Sequence, residues 1–379
     1  MSIDTSVKFF HSGMTGALQL TATAGSLLTI LRACLVSGFG AVSVDSIAVA
    51  SGVATLTISA GMPFNEVDSV ILVSGCALAA LNGEKKIAAL GTTTLTFDAS
   101  GLSDGSYSGG ISAKIAPAGW AELFTGTNVA VFQSLSPQST KCCLRVDDTG
   151  TTDARVVGYE AMSDLNTGAG QVPLNTQIAG GGYWAKANNA TGSRKWAIFA
   201  DSRSVYLWAA PYSSYPYAGV TYFFGDLIAG VANDPFAFAI QVGDADDSTL
   251  SYPNARLGIG GYIGLYTPRN ANGQASSTNM NRGTAFSGSS GQYAFGDSSA
   301  ALTFPSGKGN SLSSASILCY GESALGVFPG ALAPICKCGA LPFLSRIVIA
   351  GRKHAALPLA GSGSGPIGSL FVDVGGPWQ

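Results

Sequence analysis

"GVATLTISA", residues 52–60, and "TTTLTFDA", residues 92–99, decide the fold class. In the first, Ala54, Leu56 and Ile58 share one side of an extended chain; in the second, Leu95 and Phe97 do. Successive side chains of a strand point to opposite faces, so this period of two predicts strands with one face buried and the other wet. The Thr residues between them suit a pleated, half-buried surface.

The neighbouring stretches continue the pattern. "VDSVILVSG" (67–75) is a continuous apolar run suited to a strand covered on both faces. "LNGEKKIAAL" (81–90) carries the hairpin signal Asn82-Gly83, and "GLSDGS" (101–106) turns the chain into "GGISAKIA" (109–116). Short strands with such turns across residues 41–116 predict a small antiparallel β-sandwich or open barrel. Pro117-Ala118-Gly119 reads as its boundary.

Beyond it, "KCCLRVDD" (141–148), "ARVVGYEAM" (154–162), "KWAIFADS" (195–202), "SVYLWAAP" (204–211), "GVTYFFGD" (219–226) and "PFAFAIQVG" (235–243) concentrate aromatic and β-branched residues. "RIVIAGRK" (346–353) and "SLFVDVGG" (369–376) close the chain in the same style. Residues 117–379 are therefore expected to form a second, larger antiparallel, sandwich-like β-domain. Its connections are long and rich in Gly, Ser and Asn, above all residues 269–292, too polar to fold alone. The predicted class is mainly β with one short N-terminal helix.

That helix lies in "VKFFHSGMTGALQLTATAGSLLTILRACLVSGFG", residues 7–40, which has no charge between Lys8 and Arg32. Its length would span a bilayer, but His11, Gln19 and several Thr and Ser make it too polar to partition there, so no membrane role is expected. His11, Ser12 and Gly13 also break the apolar region that a signal peptide would need. Ser26 is placed to cap a helix whose Leu27, Leu31, Cys34 and Leu35 fall on one face, and Gly38 to stop it. Residues 1–40 thus read as a docking strand and short helix. Phe9, Phe10, Leu27, Leu31 and Leu35 are its candidate contact residues, packing on the chain's own sheet or on the next subunit.

Composition narrows the function. Only 11% of the 379 residues are charged, where soluble domains carry about 25%; Lys plus Arg number 20 against 22 Asp plus Glu. So balanced a chain generates no long-range field to attract nucleic acid, and so neutral a surface suits coverage by other polypeptides. The seven Cys are odd in number, Cys142 and Cys143 are adjacent, and Cys336 and Cys338 are too close for an ordinary disulfide. They read as reduced thiols packed in cores, in a protein made in a reducing cytoplasm.

Motifs that could carry catalysis lack their context. "GLSDG" (101–105) matches the spacing around a hydrolase serine, Ser103, but no helix pattern follows. "GSGSGPIG" fits a phosphate-loop spacing at Gly363, Gly365 and Gly368, yet Pro366 removes a donor and no helix follows. His354 in "GRKHAA" reads as part of a solvated basic turn, and Cys336 with Cys338 lacks a second pair for zinc. Asp244, Asp246 and Asp247 form the densest acidic cluster, which reads as a solvated turn and, alternatively, as a Ca²⁺ loop or glycosidase pair. The mixed charges Arg145, Asp147, Asp148, Asp153, Arg155 and Glu160 are expected to pair locally and fix a strand connection. In the aromatic stretch 206–225, Tyr212, Tyr215 and Tyr217 lie in a Pro-broken loop and are expected to be exposed, free to stack on another chain or on sugars. No catalytic residue, cofactor or metal ligand is expected.

The phrases "VKFFHSGMTGALQLTATAGSLL", "ACLVSGFG", "LNGEKK", "APAGW", "LRVDDTG" and "GYEAMSD", with "GGGYWAK" and "GVTYFFGD" further on, resemble uncharacterised virion structural proteins of tailed bacteriophages and prophages. The resemblance covers roughly the first 165 residues well. It implies a non-enzymatic component of the tail, baseplate or neck, assembled in the bacterial cytoplasm, with other virion proteins and copies of itself as partners. A glycan-binding tail tip and a capsid decoration protein are the alternatives.

Overall fold

A computed structural model describes residues 3–188, 191–243, 264–269, 273, 275–284, 314–320, 324–334, 340–360 and 366–378. The chain is mainly β, with 52% of residues in strands and 5% helical. The strands form three principal antiparallel sheets.

The first sheet occupies residues 39–115 and has seven strands, in the order Gly83–Lys86, Val70–Ser74, Gly105–Ile115, Phe39–Ala50, Val53–Thr57, Thr94–Asp98, Ala89–Leu90. Its two outermost strands are parts of one continuous segment, residues 83–90. Between them Ile87 donates its N–H to Ser69 O and Ala88 donates to Thr96 O. The sheet therefore closes on itself like a barrel, which removes both exposed edges. Ala54, Leu56, Ile58, Leu95 and Phe97 point into its core as the period of two requires. Asn82-Gly83 does not form a two-residue turn: the Asn82 side chain bonds the Cys76 N–H and C=O, closing a longer connection through a 3₁₀ turn at Ala79–Leu81.

The second sheet has five strands in the order Gly182–Ala185, Asp153–Tyr159, Cys143–Asp147, Val129–Ser134, Trp120–Gly126. The third is the largest. It begins with Lys8–His11, then runs through Trp196–Ala200, Ser204–Ala209, Val220–Asp226 and Phe238–Val242, and ends at the hairpin of Arg346–Ile349 with Arg352–Ala360. One continuous hydrophobic cluster runs through all three sheets.

The first forty residues are built into this body. Lys8–His11 pairs antiparallel with Trp196–Ala200, setting Phe9 opposite Phe199 and Phe10 opposite Ile198. Phe9, Phe10, Leu27, Leu31 and Leu35 are all buried in the chain's own core, so they are not contact residues for a neighbour. Phe9 and Phe10 are covered by a strand nearly two hundred residues away, and the turn carrying Leu35 packs beside Trp120–Gly126.

The helix spans Ser26–Leu31 and continues as a π-helical turn, Arg32–Ser37. Its N-cap is Gly25, not Ser26; the Ser26 hydroxyl donates to Thr21 O instead. Gly38 ends it at φ 70°, and a Cβ there would collide with the Ile115 carbonyl oxygen. Only glycine satisfies both demands. Among the described residues, no helix is long and apolar enough to cross a membrane.

Candidate functional site

Few as they are, several of the charges lie where sheets and the N-terminal segment meet. At the helix start, the Asp148 carboxylate accepts the Leu28 N–H at 3.0 Å and pairs with Lys186, whose ammonium also donates to Thr23 O at 2.8 Å. Both side chains are fully buried. Burial raises the Asp148 pKa, and Lys186 together with the helix N–H groups opposes that rise. The knot ties the N-terminal helix to the turn after Cys143–Asp147 and to the end of Gly182–Ala185. The local pairing expected of the mixed charges is thus replaced, at Asp148, by an ion pair and a helix cap across long sequence separations. The carboxylate sits where helical N–H groups converge, which favours negative charge.

A second knot joins the five-stranded sheet to the large one. Buried Asp226 accepts hydrogen bonds from Thr140 N–H at 3.1 Å, from Thr140 Oγ1 at 2.5 Å and from Arg203 Nε at 2.9 Å. Nearby, Asp201 Oδ1 accepts from the Arg203 and Ser204 N–H groups, each at 2.7 Å, while Trp120 Nε1 donates to Asp201 O at 2.9 Å. Burial pushes the Asp201 carboxyl up to about 6 against the pull of those N–H groups. Cys142 lies beside this knot, its thiol raised well above its usual range by burial.

The third seam joins the barrel to the large sheet. Glu84 pairs with Lys8 at 3.0 Å, Glu66 with His11 Nε2 at 2.9 Å, and Asp68 with Lys353 at 2.8 Å. The His11 Nδ1 accepts the Gly13 N–H, which leaves the proton on Nε2, facing Glu66. Lys86 Nζ donates to Gly375 O at 3.0 Å, bringing the last described residues to the same seam.

Among the described residues, a cleft of about 370 Å³ lies at the junction of three segments: residues 12–19, the turn 191–195 and the loop 210–216. Ser12, Gln19, Thr191, Ser193, Tyr212 and Ser213 supply hydroxyl and amide groups. Arg194 and Lys195 line it and no carboxylate does. Arg194 is buried and holds the turn together, donating to Pro211 O at 2.8 Å, Gly192 O at 2.9 Å and Asn188 Oδ1 at 2.7 Å. The Lys195 ammonium lies 5.3 Å from the centre of the Tyr217 ring.

This placement corrects part of the aromatic-loop expectation. Tyr217 is exposed, at 51%, but Tyr212 is buried, at 5%, and Tyr215 is half-buried. The loop folds back through a Tyr215 N–H to Tyr212 O bond, which turns Tyr212 inward as a wall of the cleft. His354 is also corrected: it lies on a strand and is buried, with Nδ1 2.9 Å from Arg352 O and Asp373 nearby. Burial lowers its pKa. Arg352 and Lys353 are exposed, and the buried part of the strand begins at His354, which is paired on both sides, opposite Ile347 and Asp373; the basic neighbours concealed this.

Ser103 lies exposed in a turn with no helix after it. Asp244, Asp246, Asp247, Cys336, Cys338, Gly363 and Gly365 fall outside the described residues, and Gly368 lies in the strand Pro366–Asp373. Among the described residues, Cys34, Cys76, Cys142, Cys143 and Cys319 are free thiols, all buried, and no group of three or more metal-ligating side chains occurs. Neither a known protein family nor a curated protein matches the chain.

Proposed function

We propose that this chain is a structural subunit of a tailed-phage particle, in the tail, baseplate or neck, whose work is geometric and not catalytic. The observation that carries the reading is the use made of its scarce charges. The nine Lys or Arg ion pairs among the described residues include the buried knot at the helix start and the seams between sheets. Charges committed to ion pairs do little to hold neighbouring molecules apart, so the surface of a chain that is only 11% charged is suited to contact with protein. Leu135, Val231 and Val348 stand at 63–70% exposure on that surface.

The resemblance of the first 165 residues to virion structural proteins supports the particular setting. Side-chain-resolution imaging of particles from cells that produce the chain tests it. Copies at symmetry-related positions, with Leu135, Val231 or Val348 covered by other chains, are expected. Purified particles lacking the chain would overturn the proposal.

A further inference from the structure

The geometry points to the cleft between residues 12–19, 191–195 and 210–216 as a binding site for an acidic saccharide, a sugar unit bearing a carboxylate. This goes beyond the assembly role and does not rest on it.

Three features of the cleft converge. Its volume, about 370 Å³, lies within the roughly 300–1,000 Å³ of small-ligand sites. Its polar lining consists of hydroxyls and an amide, groups that both donate and accept and so match a polyhydroxyl ligand better than a purely ionic one. Its formal charge is positive, with Arg194 and Lys195 on the wall and no acidic side chain among the lining residues, in a chain where charge is scarce.

The two cations have different tasks. Arg194 is a positioning residue: its guanidinium donates to the Pro211 and Gly192 carbonyls and to Asn188 Oδ1, and so holds the turn 191–194 against Asn188 and Pro211. Lys195 takes part in none of the ion pairs found among the described residues, and its ammonium sits near the face of Tyr217. A compact ammonium on a flexible stem reaches a ligand carboxylate as a point charge. Tyr217, half exposed beside it, offers an apolar ring face with a polar tip, the surface on which a sugar ring stacks. The hydroxyls of Ser12, Ser193 and Ser213 then face the ligand's own hydroxyls. With Arg194 already engaged by carbonyls, a single ammonium balances a monovalent carboxylate more closely than a phosphate, which carries about two charges.

The test is calorimetric titration of the full chain with three carboxylated probes, digalacturonate, sialyllactose and a hyaluronan disaccharide, beside neutral lactose and inorganic phosphate. At least one carboxylated probe is expected to bind more tightly than lactose and phosphate, and to weaken with added salt. Lys195→Met should weaken that binding at least about tenfold, Lys195→Arg should restore most of it, and Tyr217→Ala should weaken it by about fivefold. Thermal melts identify any variant that fails by unfolding, and the exposed Tyr217→Ala gives an independent reading if Lys195→Met is unstable. Binding of none of the three probes, equal binding of lactose, tighter binding of phosphate, or indifference to both Lys195→Met and Tyr217→Ala would overturn the inference. None of those results would disturb the structural role.

Discussion

Replacing Asp148 by Ala removes three things at once: the partner of fully buried Lys186, the acceptor of the Leu28 N–H, and the tie between the helix and the five-stranded sheet. Leaving a buried charge unpaired costs about 3–5 kcal/mol, and losing a helix cap about 1 kcal/mol more. Against a typical stability of about 5–15 kcal/mol, this is a large fraction. Denaturant titration should show the midpoint falling sharply. Hydrogen exchange should show the loss of protection concentrated in residues 20–37, with the Leu28 amide among those most affected. The double variant Asp148→Leu/Lys186→Met removes both charges and refills the space, and should recover much of the stability, because apolar replacements of buried pairs are often neutral or better. A single variant costing under about 1 kcal/mol, or a double variant no more stable than the single, would refute the view that this pair pins the N-terminal segment.

Other outcomes follow from the same reasoning. Asp201 has a folded-state pKa of about 6, above an unfolded value of about 3.9, so its contribution to stability is present in full below about pH 4 and lost as pH rises through about 6, a change of about 3 kcal/mol. Asp201→Asn keeps an acceptor for the Arg203 and Ser204 N–H groups, and should remove that component from stability measured across this window; an unchanged pH profile would contradict the burial argument. Gly38→Ala should destabilise by about 1–3 kcal/mol, since it meets both a left-handed backbone and the Ile115 carbonyl, and a neutral result in a melting experiment would sink that reading. The five described cysteines should resist thiol reagents in the folded protein and react once denatured; rapid native labelling of Cys34 or Cys142, both fully buried thiols with raised pKa values, would be incompatible with the packing described.

What was legible in the sequence was local. Ala54, Leu56, Ile58, Leu95 and Phe97 announce their strands because side-chain alternation is a property of the strand itself. Gly38 marks the helix end because its conformation is local too. What was not legible depends on partners far along the chain. Nothing in residues 20–30 indicates that Asp148 caps the helix, so Ser26 was the natural choice. Nothing in Phe9 or Phe10 specifies Phe199 and Ile198 as their partners across the sheet. The cleft is of this second kind: its walls come from three segments, and only the Tyr-rich one carries a sequence signal. Even there, Tyr212 and Tyr217 look alike in sequence, and the turn between them sends one inward and the other to solvent.

The central claim is that scarce charges hold the chain together internally and leave an outer surface made for contact with protein. Sedimentation velocity of the purified chain, from dilute to concentrated solution and at low and high salt, tests it most directly. The account predicts concentration-dependent association that added salt does not reverse, because contacts of a neutral surface are not ionic. A single monomeric species at every concentration and salt level would contradict it.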